Sequence, residues 1–218
     1  RKNPYEASIL QLSGTLNVLE ACRLQGVEKV ICASSFYVYD GLSDSMIVNE
    51  STPLDITKME LFGASKFTTE KLVHVYSTKY DLQYVLLRFG SAFGLGDCTN
   101  VIKTFLEAGW RGETIDVWGK GERRNQYTYV RDIAEGCVLA LDKANEIYNL
   151  VSPEEVSTGQ LAALLRQQQG FDIVFDETRP EGASMPYMDA RKAMSQLGWE
   201  STPLDEAISD LAKSRPKS

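Results

Sequence analysis

The chain has 218 residues, of which 43% are hydrophobic and 24% charged, and its formal net charge at pH 7 is −7. This length and composition fit one globular core with an appended lobe and argue against a disordered chain. The acidic balance argues against nucleic-acid binding, which needs clustered Lys and Arg, and no apolar run reaches the ~20 residues that cross a membrane.

The cysteines and the single histidine bear on redox setting and metals. The four cysteines, at 22, 32, 98 and 137, form no CxxC pair, which argues against a disulfide framework or a zinc site. A lone histidine, His74, cannot build a histidine metal cluster, so we expect no metal site. No leader pattern precedes the first helical stretch, and a reducing cytoplasm is the expected location.

The first hundred residues alternate between two periodicities. Apolar residues recur at helical spacing over 5–25, and the short apolar run at 30–33 predicts a buried strand. Three further elements follow: a loop at 40–58, a helix at 59–80 and a buried strand at 84–89. Continuous apolar strands separated by helices are typical of a parallel sheet covered on both faces, so the predicted fold class is α/β.

The second half of the chain has shorter predicted elements. Helices are expected at 100–110, 131–142, 157–169, 190–197 and 204–213, and strands at 114–118, 147–151 and 173–175. A basic turn falls at 120–124, and 214–218 is expected to be a frayed tail. We interpret this half as a smaller lobe over the carboxyl ends of the sheet strands, where open α/β sheets bind their ligands.

Six motifs spread over nearly the whole chain share one pattern. They are GTLNVLEAC at 14–22, ASSFYVY at 33–39, FGASK at 62–66, LRFGSAFG at 87–94, YTYVRDIA at 127–134, and DARKA at 189–193 followed by LGW at 197–199. Together they resemble the extended short-chain dehydrogenase/reductases that act on nucleotide-activated sugars. The resemblance implies a bound NAD or NADP, a nucleotide-diphosphate sugar as substrate, and a homodimer.

The same resemblance implies a Rossmann-like doubly wound parallel sheet with a smaller C-terminal substrate-binding α/β lobe. Residues 1–96 would be the remaining half of the dinucleotide-binding domain. Residues 97–218 would be mainly the substrate lobe, with some segments returning to the Rossmann core. No Gly-x-x-Gly-x-x-Gly fingerprint for the cofactor pyrophosphate occurs, so ~75–90 family residues are expected before Arg1.

The resemblance also assigns a catalytic group. Ser35 would touch the reacting sugar hydroxyl, and Lys66 would hold the nicotinamide ribose and lower the pKa of a tyrosine at position 62. Position 62 is Phe62, which has no ionisable oxygen. The favoured interpretation is an inactive, engineered Tyr-to-Phe form; the alternative is a natural variant that uses another base. Tyr37 and Tyr39 either supply a phenol or serve packing only.

Two segments are implied to bind cofactor and sugar near this group. Phe89 and Ser91 would lie beside the nicotinamide, and Tyr37 would face the substrate. In the family's 4,6-dehydratases an Asp-Glu pair occupies the positions of Phe36 and Tyr37. Without those carboxylates a water elimination lacks its proton donor, which disfavours simple dehydratase chemistry.

The remaining implied ligands surround the nucleotide diphosphate. Asn100 and Val101 either wrap the diphosphate, or Asn100 is only a helix cap. In the basic turn, Arg123 and Arg124 either bind phosphate through their planar guanidinium groups or form a solvated charge pair. Arg179, in RPEG, resembles a phosphate or ribose clamp of the form RPGD, with Ala183 in place of the acidic partner.

These residues predict a nucleotide-sugar epimerase or oxidoreductase with a bound nicotinamide cofactor. Two alternatives stay open. One is a catalytically silent binding module of the same fold, which would hold a ligand or RNA without turnover. The other is a reductase of a non-sugar carbonyl. The missing base favours the silent module, whereas the sugar-type clamps favour the enzyme.

Overall fold

The computed structural model describes residues 3–94 and 100–213. Its helices are α1 (Pro4–Gln25), α2 (Leu61–Tyr80), α3 (Val101–Trp110), α4 (Val130–Leu139), α5 (Thr158–Gln169), α6 (Arg191–Leu197) and α7 (Leu204–Ala212). Its strands are β1 (Lys29–Ser35), β2 (Ile47–Val48), β3 (Gln83–Phe89), β4 (Ser91–Phe93), β5 (Ile115–Trp118), β6 (Arg124–Asn125), β7 (Tyr127–Tyr129), β8 (Glu146–Leu150), β9 (Val156–Ser157), β10 (Ile173–Asp176) and β11 (Tyr187–Met188). Short 3-10 turns lie at Phe36–Tyr39, Ile56–Lys58 and Ala140–Asp142.

A three-stranded parallel sheet in the order β1-β3-β8 forms the centre of the molecule. Ala33 of β1 lies opposite Leu87 of β3, which in turn lies opposite Tyr148 of β8. The side chains of β3 are buried on both faces of the sheet. This burial explains the uninterrupted apolar sequence of the strand, and it confirms the predicted α/β class with a parallel sheet.

Helices α1 and α2 lie side by side against one face of this sheet. Leu19 of α1 and Val73 of α2 pack with Leu86 of β3 in a small buried cluster. Helix α1 begins where the Asn3 side chain accepts a hydrogen bond from the N–H of Tyr5, and it ends at Gly26, whose φ is 64°. The left-handed conformation at Gly26 is the one that glycine adopts most readily, so the predicted stop signal is confirmed.

The opposite face of the sheet is covered by α4 and α6. Trp199, just after α6, is fully buried in the same cluster as Leu87 and Leu150, and its indole N–H donates to the carbonyl oxygen of Asp132 at 2.7 Å. A Cβ on Gly136 of α4 would lie 2.5 Å from Leu150 Cδ1, so a larger residue would force the buried Leu150 side chain to move. The LGW motif therefore serves packing.

A second core belongs to the C-terminal half of the chain. Strands β5 and β10 pair in parallel, and α3, α5 and α7 pack around them through residues such as Ile102, Leu161 and Ile208. Helix α5 begins with a capping box in which Ser157 and Gln160 exchange side-chain and backbone hydrogen bonds, as its predicted start requires. Strand β8, from the same half of the sequence, lies in the central sheet. The domain boundaries at 96/97 stay a prediction.

Some short elements differ from the sequence-based expectation. The predicted loop at 40–58 contains β2, which pairs with β11 about 140 residues later in the chain. The helix expected over 131–142 is α4 followed by the 3-10 turn Ala140–Asp142. The predicted tail at 214–218 lies outside the described residues. Within the described ranges, no helix is long and apolar enough to cross a bilayer.

Candidate functional site

Ser35 ends β1 at the carboxyl edge of the central sheet. Its side-chain oxygen accepts a hydrogen bond from the N–H of Tyr37 at 3.3 Å, which starts the 3-10 turn that follows the strand. Ser35 is only 9% exposed, and across the sheet it lies opposite Phe89, the last residue of β3. A serine both donates and accepts, and within residues 3–94 and 100–213 the Ser35 hydroxyl donates to no acceptor, so its proton is available to a ligand.

The first turns of α2 carry position 62 and Lys66 on one face of the helix. The Lys66 ammonium nitrogen lies 3.2 Å from the carbonyl oxygen of Ala33 and 6.0 Å from the centre of the Phe62 ring. Residues four apart are neighbours on a helix surface, so the predicted juxtaposition of position 62 and Lys66 is present. Phe62 is 43% exposed, so its ring edge reaches solvent at this point.

Gly63 allows α2 to approach the turn after β1. A Cβ on this residue would lie 2.3 Å from the carbonyl oxygen of Tyr37, closer than side-chain carbons can come. The resulting close approach places the rings of Tyr37 and Phe62 edge to face, with their centroids 5.3 Å apart. The FGASK motif therefore needs a glycine at position 63 for a steric reason.

Burial and neighbouring groups shift the pKa of Lys66 in opposite directions. Burial is the larger effect and lowers the pKa of the Lys66 ammonium, whereas the neighbouring Cys32 and Glu70 raise it. Tyr39, the other phenol considered from sequence, is fully buried, and that burial raises the pKa of its hydroxyl. Its hydroxyl bonds Arg88 and Asn149, so Tyr39 is not available as a base.

The residues predicted beside the nicotinamide lie where two strands end. Phe89 closes β3, and Ser91 opens β4, where its backbone N–H donates to the carbonyl oxygen of Gln126. Gly90 between them has no room for a side chain, because a Cβ would lie 2.5 Å from Thr128 Oγ1. Ser35, Phe89 and Ser91 therefore lie together at the carboxyl end of the central sheet.

Asn100 caps helix α3. Its side-chain oxygen accepts from the N–H of Lys103 at 3.0 Å, and its amide nitrogen donates to the carbonyl oxygen of Ala92 at 2.5 Å. The helix-cap alternative thus describes the contacts of Asn100 here, and its role toward a diphosphate stays a prediction. The next residue, Val101, lines a cavity.

This cavity has a volume of about 280 Å³ and lies in the C-terminal half of the chain. It is lined by Val101, Thr104, Phe105, Asp116, Trp118, Arg123, Tyr127, Thr158, Glu181 and Gly182. Arg123 donates from Nε to the carbonyl oxygen of Ala183 at 3.1 Å, and it forms no ion pair with any carboxylate of the described residues. Arg123 therefore brings a guanidinium outside any ion pair of the described residues to a cavity wall that also carries the carboxylates of Asp116 and Glu181.

The other two predicted arginines are ion-paired. Arg124 lies 3.4 Å from a carboxylate oxygen of Glu155 and is well exposed, as in a solvated charge pair. Arg179 lies 3.0 Å from Asp116 and 3.0 Å from Asp176, and its guanidinium sits 5.3 Å from the centre of the Trp118 ring. Arg179 thus contacts two residues that line the cavity, without lining it itself.

Glu181 is a cavity residue that the sequence reasoning did not assign to the site. Its carboxylate accepts backbone hydrogen bonds from Lys120 at 2.8 Å and Arg123 at 2.6 Å, which lower the pKa of that carboxyl. The loop makes this contact because Gly119 and Gly121 adopt positive φ values of 65° and 70°. The two glycines of the GKGER turn are the only sequence signal for it.

Two known proteins resemble this chain, one in sequence and one in structure. The chain is 28% identical over 206 residues to a putative UDP-glucose 4-epimerase of Methanocaldococcus jannaschii, covering 91% of this chain and 66% of that protein. It superposes on a Thermotoga maritima UDP-glucose 4-epimerase crystallised with UDP-glucose with a TM-score of 0.88 and 26% identity, covering 97% of this chain and 71% of the other. The chain thus spans about two thirds of the length of these proteins.

A second similar structure was solved with NAD bound. The UDP-glucose 4-epimerase of Thermus thermophilus, in complex with NAD, matches with a TM-score of 0.81 and 27% identity, over 93% of this chain and 68% of that one. Residues 3–150 match the sequence profile described as the NAD dependent epimerase/dehydratase family. The doubly wound Rossmann-type fold and the NAD dependence expected of the family are confirmed. The chain belongs to the NAD dependent epimerase/dehydratase family.

Proposed function

We propose that this chain forms the catalytic edge and the substrate lobe of a nucleotide-sugar epimerase or oxidoreductase that uses NAD, in a form inactivated by Phe62. The observation that supports it most is the grouping of Ser35, Phe62 and Lys66 around the carboxyl end of β1. In this proposal Ser35 is the hydrogen-bond donor, position 62 the base and Lys66 the cation for proton transfer from a sugar hydroxyl, and Phe62 lacks the oxygen that a base needs.

The described residues fit one end of NAD. Lys66 uses one of its three N–H donors on the carbonyl oxygen of Ala33, which leaves two for the hydroxyls of a nicotinamide ribose. Ser35 and Lys66 lie at the carboxyl edge of a parallel sheet, the place where such sheets bind ligands. The 218 residues contain no Gly-rich pyrophosphate fingerprint, so the fit concerns the nicotinamide ribose alone.

The proposed chemistry assigns a role to each side chain. When bound, NAD supplies the two-electron acceptor for the sugar carbon. Ser35 donates a hydrogen bond to the sugar oxygen, and Lys66 holds the ribose and favours ionisation of a phenol at position 62. Because Phe62 accepts no proton, substrate binds and the hydroxyl keeps its proton. Phe36 and Tyr37 offer no carboxylate, so water elimination has no acid there.

The cavity of about 280 Å³ is proposed as the nucleotide site. Its aromatic wall of Phe105, Trp118 and Tyr127 offers stacking surface to a base, and Arg123 offers charge to a diphosphate. The Thermotoga relative was crystallised with UDP-glucose, which supports a nucleoside diphosphate sugar as the ligand class.

Calorimetric titration with UDP, GDP and dTDP tests this proposal. We expect saturable binding of at least one of the three, and weaker binding of the matching monophosphate because it presents less charge to Arg123. The corresponding nucleotide sugar should compete for the same site. The absence of binding by all three diphosphates to the folded protein would refute the nucleotide-sugar assignment.

A catalytically silent binding module is the second candidate, and the observation that favours it is Phe62. If Phe62 is the natural residue, its ring beside Tyr37 and Lys66 leaves a site that binds a ligand without turnover. Diphosphate binding fits both candidates. The substitution at position 62 treated in the Discussion separates them.

We also propose that the protein is a homodimer through α1 and α2. Large apolar side chains on these helices point away from the sheet, among them Leu10, Val18 and Val75, which are 74%, 55% and 49% exposed. A helix buried on two sides carries apolar residues on more than one stripe, as α1 does.

The cytoplasmic location stays a prediction, supported by unpaired cysteines at 22, 32 and 137.

The dimer proposal predicts a sedimentation result. The wild-type chain is expected to sediment as a dimer at micromolar concentration, and Leu10→Glu is expected to shift it toward monomer because a carboxylate would be buried at the interface. Asp81→Asn, an exposed change at the end of α2, serves as control and should leave the dimer intact. A wild-type protein that is monomeric throughout this range would contradict the proposal.

A further inference from the structure

A buried ion pair lies directly behind the candidate site. Arg88 of β3 donates from Nε and Nη2 to the two carboxylate oxygens of Glu70 on α2, at 2.9 and 2.7 Å. Both residues are only 3% exposed. Ser34 of β1 donates its hydroxyl to the same carboxylate at 2.5 Å. One carboxylate thus joins α2 to the two strands whose ends form the site.

The ion pair extends into a longer network across the sheet. Arg88 Nη1 donates to the hydroxyl of Tyr39 at 2.8 Å, and that hydroxyl donates to the side-chain oxygen of Asn149 on β8 at 2.8 Å. Asn149 in turn donates to the carbonyl oxygen of Asp189. Buried ion pairs of this kind are a poor source of net stability compared with apolar packing, so a role in geometry explains the network better.

The register of these contacts connects the network to the site. Lys66 and Glu70 lie one helical turn apart on α2, and they bind consecutive residues of β1: Lys66 the carbonyl of Ala33, and Glu70 the hydroxyl of Ser34. The next residue of β1 is Ser35. Sliding of α2 along β1 would break both contacts, so together they fix the position of Lys66 relative to Ser35.

We propose that Glu70, held by Arg88, is a positioning residue: it sets the register of α2 against β1 and holds the Lys66 ammonium at the carboxyl edge of the sheet. The proposal rests on the proposed function for its catalytic meaning, while the arrangement itself is independent of any ligand. The charged and titratable groups around Lys66 are Cys32 from β1, Glu70 from α2 and, behind Glu70, Arg88 from β3. Loss of the Glu70 carboxylate should make Lys66 easier to deprotonate.

The pKa of Lys66 is the direct measurement. It is read from the carbon-13 signals of the reductively methylated protein over a pH series, with Lys66→Arg to assign the signal. In Glu70→Gln the pKa of Lys66 should fall by about 0.5–1 unit, since one nearby opposite charge is removed. Asp132→Asn is the matched control. It alters another buried carboxylate, which binds Thr202, and should lower the melting temperature while leaving the pKa of Lys66 unchanged.

A second variant keeps the test valid if Glu70→Gln alone fails to fold. Glu70→Gln alone leaves Arg88 buried without its partner, whereas Glu70→Gln combined with Arg88→Met removes both charges together. The double variant should fold cooperatively and still show a lowered pKa of Lys66, by less than Glu70→Gln alone. The two removed charges offset each other, whereas the contact of the ammonium with the Ala33 carbonyl is lost with the register of α2. An unchanged pKa in a folded double variant would overturn the proposal. A double variant that cannot fold would also overturn it, because the pair would then serve the fold as a whole.

The outcome is separable from that of the proposed function, because the pKa of Lys66 is measured without nucleotide or cofactor. In the protein carrying Phe62→Tyr, the double variant should lower kcat with little change in KM, since it alters the register of the reacting groups and leaves the Arg123 cavity intact. Equal losses in nucleotide affinity would point instead to general distortion.

Discussion

Replacement of Phe62 by Tyr is expected to raise turnover of a nucleotide sugar by about 10²–10⁴-fold, the usual contribution of a general base. The Phe62 ring is half-exposed and its centre lies 6.0 Å from the Lys66 ammonium, so an added hydroxyl would have a cation near it. Epimerisation followed by NMR, with the protein supplied with NAD and UDP-glucose, measures the gain. Lys66→Met in the Tyr background should remove most of it.

Two controls make this result specific to position 62. Phe36→Tyr adds a hydroxyl to the neighbouring ring, which is buried at the start of the 3-10 turn, and should give no gain. Phe62→Leu should stay as inactive as the unchanged chain. A Phe62 protein that turned over as fast as its Tyr variant would refute the role given to this residue. Diphosphate binding without turnover in either form would establish the silent module.

The central fold was accessible from sequence because its elements are long and regular. The uninterrupted apolar run of β3 and the helical spacing of α1 each carry enough residues for a period to be visible. The pairs β2–β11 and β6–β9 are two residues long and join distant segments. Nothing in a local pattern reports such a pairing, since it depends on backbone hydrogen bonds closed by the tertiary fold.

In the candidate site, too, local spacing could be predicted from the sequence, whereas contacts between distant segments could not. The FGASK spacing predicted that position 62 and Lys66 share a helix face, and α2 places them so. The close approach at Gly63 depends on the carbonyl of Tyr37, and the ion pair of Arg179 depends on Asp116, more than 60 residues away. Contacts of this kind join segments that sequence order keeps apart, so the motif indicated a clamp arginine but not the carboxylates that hold it.

The affinity for nucleoside diphosphate is expected to depend most on Arg123. Arg123→Ala should weaken binding about 10- to 100-fold, or about 1.5–3 kcal/mol of binding free energy, because a charge-assisted contact to phosphate is lost. Arg123→Lys should recover only part, since an ammonium lacks the planar fork of the guanidinium. Calorimetry with UDP, GDP and dTDP measures both, and unchanged affinity in Arg123→Ala with an unchanged melting temperature would remove Arg123 from the site.

Arg179 has two possible modes of action, and a double substitution separates them. Arg179→Ala should also weaken diphosphate binding, and Arg179→Lys should restore part of it. Because Arg179 holds Asp116 at 3.0 Å, its loss would leave that carboxylate unpaired in the cavity wall, where it would repel a diphosphate. If neutralisation of Asp116 is the role of Arg179, then Arg179→Ala combined with Asp116→Asn should bind nearly as tightly as the unchanged protein. If the guanidinium contacts phosphate directly, the double variant should stay as weak as Arg179→Ala alone.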